Sequence, residues 1–80
     1  MPYFVYILEC ADGSLYTGTT NDVEKRVLAH NTSKTAARYT KSRRPVVLKF
    51  FKKMRTKSAA LKKEHAIKSL TREQKLAIIK

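Results

Sequence analysis

Residues 3–19 read YFVYILECADGSLYTGT, and the way this stretch pairs with itself decides the fold. Residues 3–9 are aromatic, β-branched or aliphatic up to Glu9, which is the composition of a strand. Asp12-Gly13 is a hairpin signal, and residues 14–19 read as the returning strand. Gly18 inside it marks a close approach by another backbone or a ligand. Side chains alternate faces along a strand, so the length of the loop determines which of them meet. A two-residue loop pairs residues whose numbers sum to 25 and puts Tyr6 and Tyr16 on opposite faces. A three-residue loop, Ala11-Asp12-Gly13, makes the sum 24. It sets Gly18 opposite Tyr6 and Tyr16 opposite Leu8, and both phenols then share a face.

Working outward, a helix is expected from about residue 22. Asn21 would be its N-cap, with Glu24 completing a capping box. Val23 and Val27, with Leu28 beside them, would form its buried stripe, and it should end near Asn31. Residues 34–45 form a basic, polar connection in which Pro45 turns Arg44 away from helix. Residues 46–52 read as a third strand. Thr56 caps a helix over about 57–69, and Thr71 with Gln74 opens a last helix by a second capping box. The order β-β-α-β-α-α predicts an α+β fold: one domain over residues 1–80, with a three-stranded antiparallel sheet flanked by helices.

Charge narrows the function. Eighteen Lys and Arg face six Asp and Glu, a formal +12. Between Lys25 and Lys63 there are fourteen basic residues and no acid. Such a field repels itself in the folded state, so a polyanionic partner is its natural counterpart. A merely solvated basic face is the bland alternative. No segment has the continuous amphipathic face of a membrane-surface helix, no apolar run approaches the length of a span, and nothing reads as a targeting segment. A soluble, cytoplasmic protein is expected, and a single cysteine, Cys10, fits a reducing compartment and a packing role.

Three groups of residues could carry chemistry. Glu64 falls on the same helical arc as Ala60, Leu61, Ile67 and Leu70, where a carboxylate is costly unless something pairs with it. It is either half of an ion pair with a lysine or arginine, or a metal ligand at the edge of the core. Arg26 and His30 are four apart and project from one helix face. Arginine matches phosphate geometry and histidine can move a proton, although basic residues at this spacing are commonly just solvated. Tyr6 and Tyr16 would ordinarily be packing residues. A phenol has a pKa near 10, and neighbouring cations would lower it toward a useful base. In the basic connection, Lys34, Arg38, Lys41, Arg43 and Arg44 are expected phosphate contacts, Tyr39 a stacking or anchoring residue, and His65 an exposed helix residue.

Taken together and in order, these residues resemble the GIY-YIG nuclease superfamily, most closely its small stand-alone bacterial branch. The likeness covers Tyr3 to about Leu70. Its first motif stands here as Phe4-Val5-Tyr6 and its second as Tyr16-Thr17-Gly18. Arg26 and His30 follow on the first helix, and Glu64 on the helix after the third strand. Two departures are visible: Phe4 stands where the motif has glycine, and no asparagine follows Glu64 at the family's distance.

The resemblance implies roles. Tyr6 would help activate water, alone or with Tyr16. Arg26 would hold the phosphate with His30 assisting, Gly18 would let the backbone pass close to the site, and Glu64 would ligate one Mg²⁺ or Mn²⁺. It also requires both tyrosines to face one site, which selects the three-residue turn with Gly13 in a left-handed conformation. The reaction implied is hydrolysis of phosphodiester bonds in DNA, in preference to RNA, in branched or nicked substrates. A nucleic-acid-binding module without turnover, or an adaptor docking to a larger repair protein, are the rival readings.

Overall fold

A computed structural model describes residues 2–32, 40 and 42–79. The elements described over these residues are the strands β1 (Tyr3–Glu9), β2 (Leu15–Thr20) and β3 (Val47–Met54) and the helices α1 (Val23–Thr32), α2 (Lys57–Lys68) and α3 (Arg72–Ile79), in the order β1-β2-α1-β3-α2-α3. The sheet is antiparallel with β1 in the middle, in the order β2-β1-β3.

The hairpin takes the three-residue turn. Tyr6 pairs with Gly18 and Leu8 with Tyr16, so paired numbers sum to 24. Below the last pair, the Cys10 N–H donates to the Ser14 carbonyl at 2.8 Å and the Gly13 N–H to the Cys10 carbonyl at 2.9 Å. Gly13 has φ +84°, which a side chain would strain. Asp12 Oδ1 accepts from both the backbone and the hydroxyl of Ser14, at 3.0 and 2.6 Å, closing an Asx turn. The turn is also tied down from outside. Arg43 Nε reaches Asp12 Oδ2 at 3.0 Å, and the Arg72 guanidinium donates to the Gly13 carbonyl.

A central strand must bury both faces, and β1 does so with four consecutive buried residues, Val5 to Leu8. Tyr6 and Leu8 pack with Cys10, Val46, Tyr16, Val27 and Leu48 on the α1 side. Val5 and Ile7 pack with Ile67, Leu15, Phe50, Met54, Ile78 and Ile79 on the other. Each such aliphatic side chain contributes roughly 1.5–3 kcal/mol when fully removed from water. Cys10 is buried and unpaired, a packing residue as expected. Opposite the Ile7–Leu8 step the β3 register slips by one. The extra residue, Lys49, lies 3.7 Å from Glu9.

Helix starts agree with the sequence except at α1. Thr56 caps α2 by accepting from the Ala59 N–H. At α3 the reciprocal box forms in full: Thr71 N–H donates to Gln74 Oε1 at 2.9 Å, and Gln74 N–H to Thr71 Oγ1 at 3.2 Å. For α1 the cap is Asp22, not Asn21. Asp22 Oδ1 accepts from the Lys25 N–H at 3.1 Å, because the Thr20 hydroxyl accepts from the Asp22 N–H and carries the extended backbone one residue further. The buried stripe shifts as well. Leu28 is 62% exposed, whereas His30 is wholly buried. Residues 23, 27 and 30 form the inward line of α1, and Leu28, 100° round from Val27, points out. On α2, Leu61 is likewise exposed, while Ala60 and Ile67 are buried. The apolar arc is therefore narrower than the sequence suggested.

Candidate active site

Tyr6 stands on the central strand with 1% of its surface exposed. Its ring crosses onto β2 and lies over Gly18. A β-carbon at position 18 would fall 2.5 Å from the Tyr6 hydroxyl and 2.7 Å from the carbon bearing it. The group approaching Gly18 is thus this phenol, not another backbone or a ligand. Tyr16, on the same face, has its ring centroid 6.5 Å from that of Tyr6.

α1 closes the cluster from above. The Tyr6 hydroxyl lies 2.9 Å from His30 Nε2, and His30 Nδ1 lies 2.7 Å from Thr40 Oγ1. The imidazole also packs against Tyr16, centroid to centroid 5.1 Å. Arg26, one helical turn earlier, lies near enough to act electrostatically on the Tyr6 hydroxyl. A neutral imidazole carries one proton: with it on Nδ1, His30 donates to Thr40 and the Tyr6 hydroxyl donates to Nε2.

Protonation follows from burial and charge. Burial first, then the positive charges of Arg26 and Arg44, push the His30 pKa down to about 4. The imidazole is neutral at physiological pH, as an acceptor of the Tyr6 proton must be. Burial likewise raises the Tyr6 pKa above its ordinary value, and the nearby Tyr16 and Glu64 add to the rise. Arg26 opposes the rise without reversing it. Nearby positive charge does act to lower this phenol, but removal from water outweighs one guanidinium. Tyr6 rests as the neutral phenol.

Glu64 reaches the cluster from α2, near enough for its charge to act on Tyr6. Its carboxylate is mostly shielded, with 17% side-chain exposure, and it lies 2.7 Å from Lys68 Nζ. That ammonium also sits 6.0 Å from the centroid of Tyr16. Of the two readings offered for Glu64, ion pair or metal ligand, the ion pair is the one formed here.

Three side chains from two helices, Arg26, His30 and Glu64, therefore gather around the phenol pair of Tyr6 and Tyr16, and residues 2–77 match the family described as the GIY-YIG catalytic domain. The chain belongs to the GIY-YIG family. A UPF0213 protein of Staphylococcus epidermidis is 56% identical over 77 residues, covering 96% of this chain and 93% of that protein. One from Desulfotalea psychrophila is 49% identical over 78 residues, covering 98% and 71%. Among solved structures, the solution NMR structure of a UPF0213 protein from Bacillus halodurans superposes with a TM-score of 0.63 at 40% identity, covering 99% of this chain and 83% of that one. A second, from E. faecalis, gives 0.63 at 45% identity, covering 94% and 79%.

As a GIY-YIG domain the chain belongs to a nuclease family acting on nucleic acid, and its acids can be sorted by what they already do. Glu9 pairs with Lys49, Asp12 holds the hairpin turn, and Asp22 caps α1. Glu64 alone among these points to the phenols. Among the described residues no three His, Cys, Asp or Glu side chains come together. This donor set fits one ion held by a single carboxylate with oxygens of water and phosphate, a habit of Mg²⁺, and does not fit a two-ion cluster. Beside Arg26 an open cavity of about 360 Å³ is lined by Thr20, Asn21, Asp22, Lys25 and Ala29.

Lys34, Arg38, Tyr39 and Lys41, expected on the nucleic acid, lie outside the described residues. Arg43 and Arg44 already have partners within the protein, Asp12 for the first and the His30 carbonyl for the second. His65 is exposed on α2, as expected. Two residues of the site were missed. Thr40 is fully buried under His30, ten positions along and with no periodic relation to it. Lys68 was discoverable, because an i,i+4 lysine after a glutamate is the commonest helical ion pair. Asn31, read only as a helix end, ties α1 to the start of β3. Its amide donates to the Val46 carbonyl at 3.0 Å, and its oxygen accepts from the Val46 N–H at 2.7 Å.

Proposed function

We propose that this protein is an endonuclease that hydrolyses phosphodiester bonds in DNA, branched or nicked DNA above all, using one Mg²⁺ or Mn²⁺ held by Glu64. The observation that carries the reading is the buried Tyr6–His30 hydrogen bond, with Arg26 and Glu64 near enough to act on the same phenol.

In this reading the Tyr6 oxygen takes a proton from the attacking water as its own proton passes to His30 Nε2. A neutral phenol can serve as a base only if it is relieved of its proton in this way, and the Tyr6–His30 pairing provides the acceptor. Thr40 holds the imidazole in the required tautomer. The Arg26 guanidinium binds the non-bridging oxygens and stabilises the charge that grows on them. A phosphodiester drawn in by Arg26 also offsets part of the positive charge that depresses His30, and so makes the imidazole a better acceptor. Tyr16 helps to seat the water. A divalent ion on Glu64 would stabilise the leaving oxygen. Water oxygen bonds to phosphorus and one P–O ester bond breaks. The proton held by His30 returns to neutralise the departing alkoxide, giving a phosphomonoester and a hydroxyl. The basic span 34–57 would follow neighbouring phosphates. A buried, unpaired Cys10 suits a reducing, cytoplasmic setting.

The test is cleavage of labelled branched, nicked and linear DNA with Mg²⁺ or Mn²⁺. Glu64→Ala should abolish cutting and leave binding salt-sensitive and nearly unchanged. A second reading, a non-catalytic nucleic-acid-binding module or adaptor, draws on the Lys68 ammonium already seated on Glu64. It predicts that wild type and Glu64→Ala are equally inert, with equal affinity.

A further inference from the structure

Lys68 is unusually placed for a helix-surface lysine. It lies in the last turn of α2, and its ammonium is 2.7 Å from Glu64 Oε2. The same ammonium lies 6.0 Å from the Tyr16 ring centroid, so it stands close to both the carboxylate and a phenol of the site. The two partners are not equal. The Glu64 side chain is 17% exposed and that of Lys68 is 50% exposed, so the carboxylate is fixed in the wall while the lysine is free to swing out. Solvent-exposed i,i+4 pairs are worth only about 0.3–0.5 kcal/mol. A shielded carboxylate holds its cation more firmly than that, because the local dielectric is lower.

The geometry points to Lys68 as the resident counter-ion of Glu64, which a divalent cation must displace on binding. This inference rests on the metal-dependent reading above. A cation on Glu64 takes the lone pairs that the ammonium now uses, and even on the other oxygen it would repel an ammonium only a few ångströms away. Lys68 is therefore a positioning residue. With no ion bound it compensates the Glu64 charge and keeps the carboxylate turned toward Tyr16. It also weakens the binding of a free cation until a phosphate is present. The incoming phosphate then supplies further oxygens to the cation and a new partner to the released ammonium, so the ion and the substrate favour one another.

Binding of Mn²⁺ alone, followed by electron paramagnetic resonance or titration calorimetry, tests this without relying on turnover. Wild type, Lys68→Met, Lys68→Arg and Glu64→Gln are compared, each first shown to be folded by circular dichroism. Lys68→Met should bind Mn²⁺ about tenfold tighter. Lys68→Arg, which keeps the charge, should stay within about twofold of wild type, and Glu64→Gln should lose the site. If Mn²⁺ binding depends on Glu64 yet Lys68→Met is unchanged or weaker, the exchange is wrong and the metal reading stands. If Glu64→Gln binds Mn²⁺ as wild type does, the metal reading fails and the exchange falls with it.

Discussion

Tyr6 lies so close over Gly18 that a β-carbon there would sit 2.5 Å from its hydroxyl. The two residues are also direct cross-strand partners, so the hairpin register itself delivers the phenol to its seat. Glycine is required at this position by space alone, since among the described residues only Gly13 has a positive φ.

Gly18→Ala should therefore push the Tyr6 ring off His30. Forcing a methyl group into a packed interior costs typically about 1–3 kcal/mol, which thermal unfolding would register. Misplacing a reacting group by about 1 Å can cost on the order of a hundredfold in rate, so the cleavage rate should fall by that much or more. A Gly18→Ala protein that cuts at the wild-type rate would show that Tyr6 need not hold this position.

Thr40 gives a subtler test, because its hydroxyl bonds the far nitrogen of His30. Thr40→Val keeps the shape and removes the acceptor 2.7 Å from His30 Nδ1. A buried donor left without a partner costs about 1–3 kcal/mol. The expected result is a loss of about ten- to a hundredfold in kcat with little change in KM. Nitrogen-15 NMR of the imidazole should show the Nδ1–H tautomer in wild type and a mixture in the variant. A single unchanged tautomer in both would remove Thr40 from the orienting role.

The contrast between Gly18 and Thr40 shows what a sequence can and cannot disclose. The register was legible because pairing parity allows only two arrangements of residues 3–19, and only one puts both tyrosines together. The boxes at Thr56 and at Thr71–Gln74 were legible because capping is local chemistry. The burial of His30 in place of Leu28 was not, since hydropathy ranks leucine as the inward residue. A histidine is buried there because Tyr6 and Thr40 satisfy both its nitrogens, and neither partner is close in sequence. The neutral resting state of Tyr6 was hidden for a related reason. Composition reveals the cations around it, but only the fold reveals that the phenol is out of water.

His30 should make stability depend on pH in a defined window. Its pKa is about 4 in the folded protein against an ordinary 6.5, so between these values the unfolded chain binds more protons. Stability is then full above about pH 6.5 and declines as pH falls toward 4, by up to about 3 kcal/mol at 1.4 kcal/mol per pKa unit. Asp12, whose pKa is lowered from 3.8 mainly by its hydrogen bonds with Ser14, acts only below that window. Thermal midpoints should drop from pH 7 to about 4.5 in wild type and stay nearly flat in His30→Gln. In Arg26→Ala the His30 pKa should rise without reaching 6.5, since burial is the larger cause and remains. A wild-type midpoint that is level across this range would mean that His30 is not buried as the neutral base.

Arg26 should be separable from Glu64 by salt. Affinity for duplex DNA falls with salt at a slope of about −0.9 in log K against log salt for each phosphate neutralised. If the basic surface meets about five phosphates, the wild-type slope is about −4.5. Arg26 lies near Tyr6 and borders an open cavity, so it should contribute one of these contacts. Arg26→Ala should then make the slope shallower by about 0.9 and lower the cleavage rate by a much larger factor than the affinity, because the guanidinium acts most strongly on charge that develops during the reaction. Glu64→Ala should stop cleavage and leave the slope as it was, since a carboxylate releases no phosphate counterions. Binding titrations of both variants across a salt series decide the point. A slope that moves with Glu64→Ala and not with Arg26→Ala would reverse the division of labour between the two residues, placing the carboxylate in DNA binding and the guanidinium outside it.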